Sequence, residues 1–175
     1  MFRARSIPRT QFGWITKKIM PLDDLLAADA IFPALKAANK KQALQELAAK
    51  AAVSTGRAER EIFEILLQRE RLGSTGIGNG VAIPHGKLPK LDRLVGLFAR
   101  LAKPIDFEAL DGHPVDLVFL LLAPEAAGAD HLKALARIAR LLRDPVIAAK
   151  LRATTDAQTL YELLTTQPSS ATHAA

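Results

Sequence analysis

Gly73-Ser74-Thr75-Gly76-Ile77-Gly78-Asn79-Gly80-Val81-Ala82-Ile83-Pro84-His85-Gly86-Lys87 is the stretch on which the reading of this chain turns. It opens with four glycines in eight residues, a density that marks backbone needing positive φ or close approach by another group. Val81–Ile83 is apolar and β-branched enough for a short strand, and Pro84 ends it. His85 then stands between Pro84 and Gly86, which holds an imidazole at a strand end with room for a large partner. Successive backbone N–H groups in glycine turns can face a phosphate, so loop and ring together raise the case for an anion site. Taken singly, each also fits a tight turn without ligand and a loop histidine with no task.

Working upstream, Ile62, Ile65, Leu66 and Arg69 recur at helical spacing and predict a helix from Arg57 to Leu72, with Gly73 as its αL terminator. Ala43, Leu44, Leu47 and Ala51 predict an earlier helix starting at Asn39 as N-cap and broken by Ser54-Thr55-Gly56. Leu22, Leu25 and Leu26 beside Asp23 and Asp24 predict a short amphipathic helix, followed by an extended piece at Ile31–Leu35. Downstream, Leu94–Leu101 reads as a strand and Ile105–Phe107 as a short extended piece. Asp111-Gly112-His113-Pro114 reads as a turn. Val115–Leu122, rich in Val, Leu and Phe between two prolines, reads as a strand buried on both faces. A helix follows with Asp130 as N-cap and a stripe of Leu132, Leu135, Ile138, Leu141 and Leu142. Asp144-Pro145 restarts a helix to about Leu151, and Asp156–Thr165 forms the last. Helices before and after a group of short strands predict a single α/β domain, a mixed β-sheet sandwiched between helical layers.

The domain is expected over residues 21–167, with 1–20 a basic leader, disordered or a start-site artefact, and 168–175 a disordered tail. The leader holds five of the 24 basic residues and no acid. The other 19 face all 18 acidic residues across the rest of the chain, so the formal +6 is not spread over a binding face. With aromatics at 5%, this argues against nucleic-acid recognition. Arg9, Gln11 and Lys17-Lys18 interrupt any signal-peptide centre, and Val115–Pro124 is too short to span a bilayer as a helix. A cytoplasmic protein without membrane insertion is expected. The absence of cysteine removes disulfides, thiolate ligands and Cys nucleophiles.

Sharper motifs fail at named residues. Gly76-x-Gly78 meets Val81 where a dinucleotide fingerprint needs a small residue, and Gly86-Lys87 is followed by Leu88 rather than the Ser or Thr of a phosphate-binding P-loop. No His-Glu-x-x-His and no Gly-x-Ser-x-Gly occurs. Neither a metal nor a cofactor is expected. Of the four histidines, His173 lies in the tail and His113 in a turn, and neither is assigned a role.

From Leu67 through Lys87, in Leu67-Gln68-Arg69-Glu70-Arg71-Leu72 and the glycine stretch after it, the sequence resembles the phosphotransferase-system enzyme IIA proteins of the fructose and mannitol class, closest to their nitrogen-regulatory branch. The likeness runs from Pro21 to Gln167 and includes Pro104-Ile105-Asp106-Phe107, Pro114-Val115-Asp116-Leu117 and His131-Leu132. It implies the enzyme IIA fold, a phosphohistidine at His85, and Arg69 and His131 as catalytic helpers. By helix position alone, Arg69 reads as a surface charge and His131 as an N-terminal helix histidine; Lys87 is assigned only to partner docking. The resemblance further implies a phosphotransferase component fed by a histidine-containing phosphocarrier protein. Its phosphorylation state would regulate partners such as transporters or sensor kinases, in nitrogen- or potassium-type control. The sequence leaves a homodimer open, and leaves as rival a non-covalent anion- or nucleotide-binding module built on the Gly73–Gly80 loop.

Overall fold

The computed structural model describes residues 22–166, so the leader and tail readings, and His173 with them, lie outside the described residues. Leu22, Leu25 and Leu26 make one helical turn, with the Leu22 carbonyl accepting from the N–H of Leu25 (3.0 Å) and of Leu26 (2.9 Å). The expected helix stops there. The next residues enter strand β1 (Leu26–Leu35), paired parallel to β5 (Val95–Ile105), and tertiary pairing overrides a weak local preference. Pro33 is accommodated because β1 is an edge strand and its register shifts between Phe32 and Leu35.

Helix α1 (Lys40–Thr55) starts as predicted: Asn39 Oδ1 accepts from Gln42 N–H at 2.9 Å, and Gly56 closes the helix in αL. Helix α2 (Glu59–Arg71) follows and buries Ile62, Leu66 and Glu70. Gly73 does not take the αL role; its φ is +148°, a different positive-φ conformation. The glycine stretch forms a small hairpin of β2 (Gly76–Gly78) and β3 (Val81–Ala82), turning through Asn79 (φ +56°) and Gly80 (φ +74°). His85, expected to follow a strand end, instead opens a further strand, β4 (His85–Leu88), that the sequence reading does not foresee.

Strand β6 (Val115–Pro124) is the spine of the six-stranded sheet, and every position from Leu117 to Ala123 is buried, as expected for a strand covered on both faces. It pairs antiparallel with β5 on one side and parallel with β3 and then β4 on the other. The sheet is therefore mixed. Helices α3 (Ala129–Arg143), α4 (Pro145–Arg152) and α5 (Ala157–Thr165) pack in succession, with α3 against β6 and α5 against β1, while α1 and α2 pack on each other and α2 on β4. Two caps differ from each other. Asp144 caps α4, accepting from Val146 and Ile147 N–H, whereas the expected N-cap of α3, Asp130, lies inside its first turn and Gly128 precedes the helix without a side-chain cap. An acid there still favours the positive end of the helix. The buried stripe of α3 is His131, Ala134, Ile138 and Leu142, and Leu132 is turned outward.

Candidate functional site

His85 opens β4, where its backbone lies opposite Leu121 in the central strand. Its Nδ1 is 2.8 Å from the Ile83 carbonyl oxygen. A carbonyl can only accept, so this ring nitrogen carries the proton and Nε2 holds the lone pair. Arg69, near the end of α2, donates from Nε to that Nε2 at 3.2 Å and from Nη1 to the Gly73 carbonyl at 3.0 Å. His131, in the first turn of α3, sets its ring edge-on to that of His85, with centroids 5.5 Å apart and planes at 61°. The three residues singled out in the sequence, His85, Arg69 and His131, are thus brought together from three elements.

The electrostatics favour neutral rings. Burial depresses the His85 pKa most, the nearby Arg69 depresses it further, and the Ile83 carbonyl and Glu70 offset part of this. His131 is also pushed below the ordinary imidazole range, first by burial and then by His85 and Lys87. Its Nε2 is buried without a hydrogen-bond partner, an open donor or acceptor beside the His85 ring. Lys87 is exposed two residues beyond His85.

Local packing explains why a glycine follows the histidine. A Cβ on Gly86 would stand 2.4 Å from Ile65 Cγ2, so only a bare Cα lets α2 approach β4 closely enough for Arg69 to reach the ring. The glycine hairpin is not an open anion cradle. The Thr75 N–H goes to Glu70 Oε1, that of Gly76 to Ser74 Oγ, and that of Asn79 to Asp111 Oδ2. At the hairpin tip Arg152 holds Asp116 through Nε (2.8 Å) and donates to the Asn79 carbonyl (2.7 Å). His113 is exposed just before β6, whose first residue, Val115, is itself six positions from the level of His85, or about 20 Å along the strand.

The sequence reading missed Glu70. It is 6% exposed and lies in the quoted motif, but a helix rich in Arg and Glu disguises it as one more surface charge. Among the described residues no group of His, Cys, Asp and Glu could hold a metal ion, and no helix is long and apolar enough to cross a membrane.

A mixed sheet flanked by helices carries, at the start of one strand, an imidazole set between an arginine and a second histidine, and this fold places the chain in a known class. The chain belongs to the family described as phosphoenolpyruvate-dependent sugar phosphotransferase system, EIIA 2, whose model matches residues 24–167. Within it the chain is similar to proteins named nitrogen regulatory protein. One from Bradyrhizobium diazoefficiens is 70% identical over 152 residues, 87% of this chain and 99% of that protein. The crystal structure of nitrogen regulatory protein IIA-Ntr from Neisseria meningitidis is 35% identical with a TM-score of 0.77, covering 81% of this chain and 97% of that one. The IIA mannitol structure from Escherichia coli shares the fold at 24% identity, with a TM-score of 0.66 and 79% and 97% coverage.

Proposed function

We propose that this protein is a phosphoryl carrier of the phosphotransferase system that accepts a phosphoryl group on Nε2 of His85 and regulates partner proteins by its phosphorylation state. The observation that carries the reading is the Ile83 carbonyl 2.8 Å from Nδ1, because it fixes the proton there and leaves Nε2 as the only nucleophilic nitrogen of the ring. The donor is a protein phosphohistidine in its ring-protonated form. Its N–P bond breaks as the Nε2–P bond forms in line. The donor ring leaves as neutral imidazole, and His85 becomes a phosphoimidazolium whose Nδ1–H stays on the Ile83 carbonyl. Charges balance, and the near symmetry of the two N–P bonds makes the transfer reversible.

Arg69 and His131 are the proposed helpers. The Arg69 guanidinium leaves Nε2 and takes the phosphoryl oxygens, a task its planar fork of donors suits. The otherwise unpartnered Nε2 of His131 donates to the same oxygens when its ring carries the proton on that nitrogen. Exposed Leu72, three residues beyond Arg69, and exposed Leu132, next to His131 in sequence, offer a docking protein apolar contact, with Lys87 adding charge. The likeness to nitrogen regulatory proteins supports regulation, with transporters or sensor kinases as readers of the phosphorylated state in the cytoplasm. The carrier domain is proposed to occupy residues 21–167.

Incubation with a histidine-phosphorylated carrier protein, followed by intact-mass measurement at alkaline pH, tests the reading. The expected result is an acid-labile gain of one phosphoryl group that His85→Ala abolishes. An unchanged mass, or phosphorylation that survives in His85→Ala, overturns it.

A further inference from the structure

Glu70 is a buried carboxylate that the phosphoryl chemistry does not touch, yet its partners lead to the reactive ring. Oε1 accepts from the Thr75 N–H at 2.8 Å and Oε2 from the Thr75 hydroxyl at 2.7 Å. Lys40, reaching across from α1, supplies the counter-charge at 3.4 Å and also meets Glu108 at 3.5 Å. The carboxylate side chain is 3% exposed, so its charge is held by these donors and hardly by water.

Thr75 stands next in line. Its carbonyl accepts from the Ile83 N–H at 2.9 Å, and the Ile83 carbonyl in turn takes the Nδ1 proton of His85. The backbone of Glu70 also receives the Gly73 N–H at 3.2 Å, while the Gly73 carbonyl anchors Arg69. The carboxylate of Glu70 therefore lies at the root of the hydrogen bond that orients the imidazole, and its backbone carbonyl at the root of the turn that seats the guanidinium. We propose that Glu70 is a positioning residue for His85: through Thr75 and Ile83 its carboxylate holds the ring in the Nδ1–H tautomer with Nε2 facing Arg69.

A carboxylate suits this place better than an amide. It accepts from both Thr75 donors at once, which a glutamine can match only if the Thr75 hydroxyl turns its lone pair toward the new NH2 group. Its negative charge also acts on His85 against Arg69 and burial, within a set of charged neighbours comprising Lys40 on α1, Arg69 on α2, Lys87 on β4 and Glu108 beyond β5.

The catalytic consequence rests on the phosphoryl-carrier reading, but the hold on the ring does not, and the experiment keeps them apart. Glu70→Gln is compared with wild type by ring 15N NMR across pH, and by the transfer rate from a histidine-phosphorylated carrier at saturating concentration. The expected results are a loss of the single Nδ1–H tautomer, a His85 titration midpoint moved further down, and a transfer rate lower by about tenfold or more, with the carrier's KM unchanged because no docking residue is altered. Thr75→Val keeps the charge and removes only the hydroxyl link; should Glu70→Gln fail to fold, it is the variant to measure, and mixed tautomers at an unmoved midpoint are then expected. A folded Glu70→Gln whose tautomer, midpoint and saturating rate all stay within twofold of wild type overturns the proposal, as does a Thr75→Val that keeps the single tautomer. A wild type that accepts no phosphoryl group would instead refute the carrier reading, and the ring spectra alone would then judge Glu70.

Discussion

Gly86→Ala is a one-methyl test of how the site is assembled. The new Cβ would lie 2.4 Å from Ile65 Cγ2, whereas carbon atoms rest about 3.7 Å apart, so helix and strand must separate locally by about 1.3 Å or the isoleucine must leave its rotamer. A β-branched side chain in a helix has one strongly preferred χ1, which makes the second escape costly. Overpacking of this kind costs about 1–3 kcal/mol. Because Ile65 lies one helical turn before Arg69, the separation falls on the 3.2 Å contact between Arg69 and His85, and a misplacement near 1 Å can cost about 100-fold in rate. Denaturant unfolding should therefore show a lower midpoint at unchanged slope, and carrier-to-protein transfer should slow markedly. Pairing the change with Ile65→Ala clears the space, so the double variant should recover a large part of the transfer rate despite its own cavity. Should Gly86→Ala match wild type in both stability and transfer, the idea that close helix–strand approach seats the guanidinium is wrong.

Arg69→Gln should raise the His85 titration midpoint, since the guanidinium lowers it, and should slow transfer about 100-fold or more; a midpoint that stays or falls contradicts this. His131→Ala should slow transfer by about 10- to 100-fold while its fold is retained, checked by single-turnover kinetics and circular dichroism. Both rings have folded-state pKa values below the free-imidazole value, so the unfolded chain binds more protons just below pH 6.5; stability should decline as pH falls from about 6.5 through the folded values, and His85→Gln should flatten part of that decline in urea titrations. Leu132→Asp should raise the KM for the phosphorylated carrier and leave the saturating rate unaltered, measured by initial rates over carrier concentration.

How far the sequence discloses this molecule differs from residue to residue. The long helices and the central strand are legible because starts and periodicity agree: Asn39 caps α1 as read from the sequence, and α4 and α5 begin at Asp144 and Asp156 where their patterns restart, although Asp130 does not cap α3. The Leu22–Leu26 segment misleads because its one helical turn is real but short, and pairing with β5 sets the conformation of the residues after it. In α3 counting leucines finds Ile138 and Leu142 but passes over His131 and Ala134, and assigns Leu132 to the core, although it is 68% exposed. His85 can be picked out from its place after Pro84 and a glycine-rich stretch, although it opens a strand rather than ending one. Arg69 and His131 cannot, because their meeting depends on how α2 and α3 flank one sheet edge, and only family resemblance singles them out. Glu70 is hidden for the opposite reason: burial of a charge depends on Lys40, thirty residues away, which no local pattern connects to it.

The hydrogen bond from Arg69 to the lone pair of His85 makes the resting ring a covered weapon. A small neutral electrophile that wanders in offers the guanidinium nothing in exchange, so the lone pair remains engaged and the ring resists casual modification. Under the proposed function, a dianionic phosphoryl group brought on another protein would draw the arginine to itself and bare the nitrogen in the same movement. In the proposed transfer the arriving cargo would thereby also be the signal that unlatches its own acceptor.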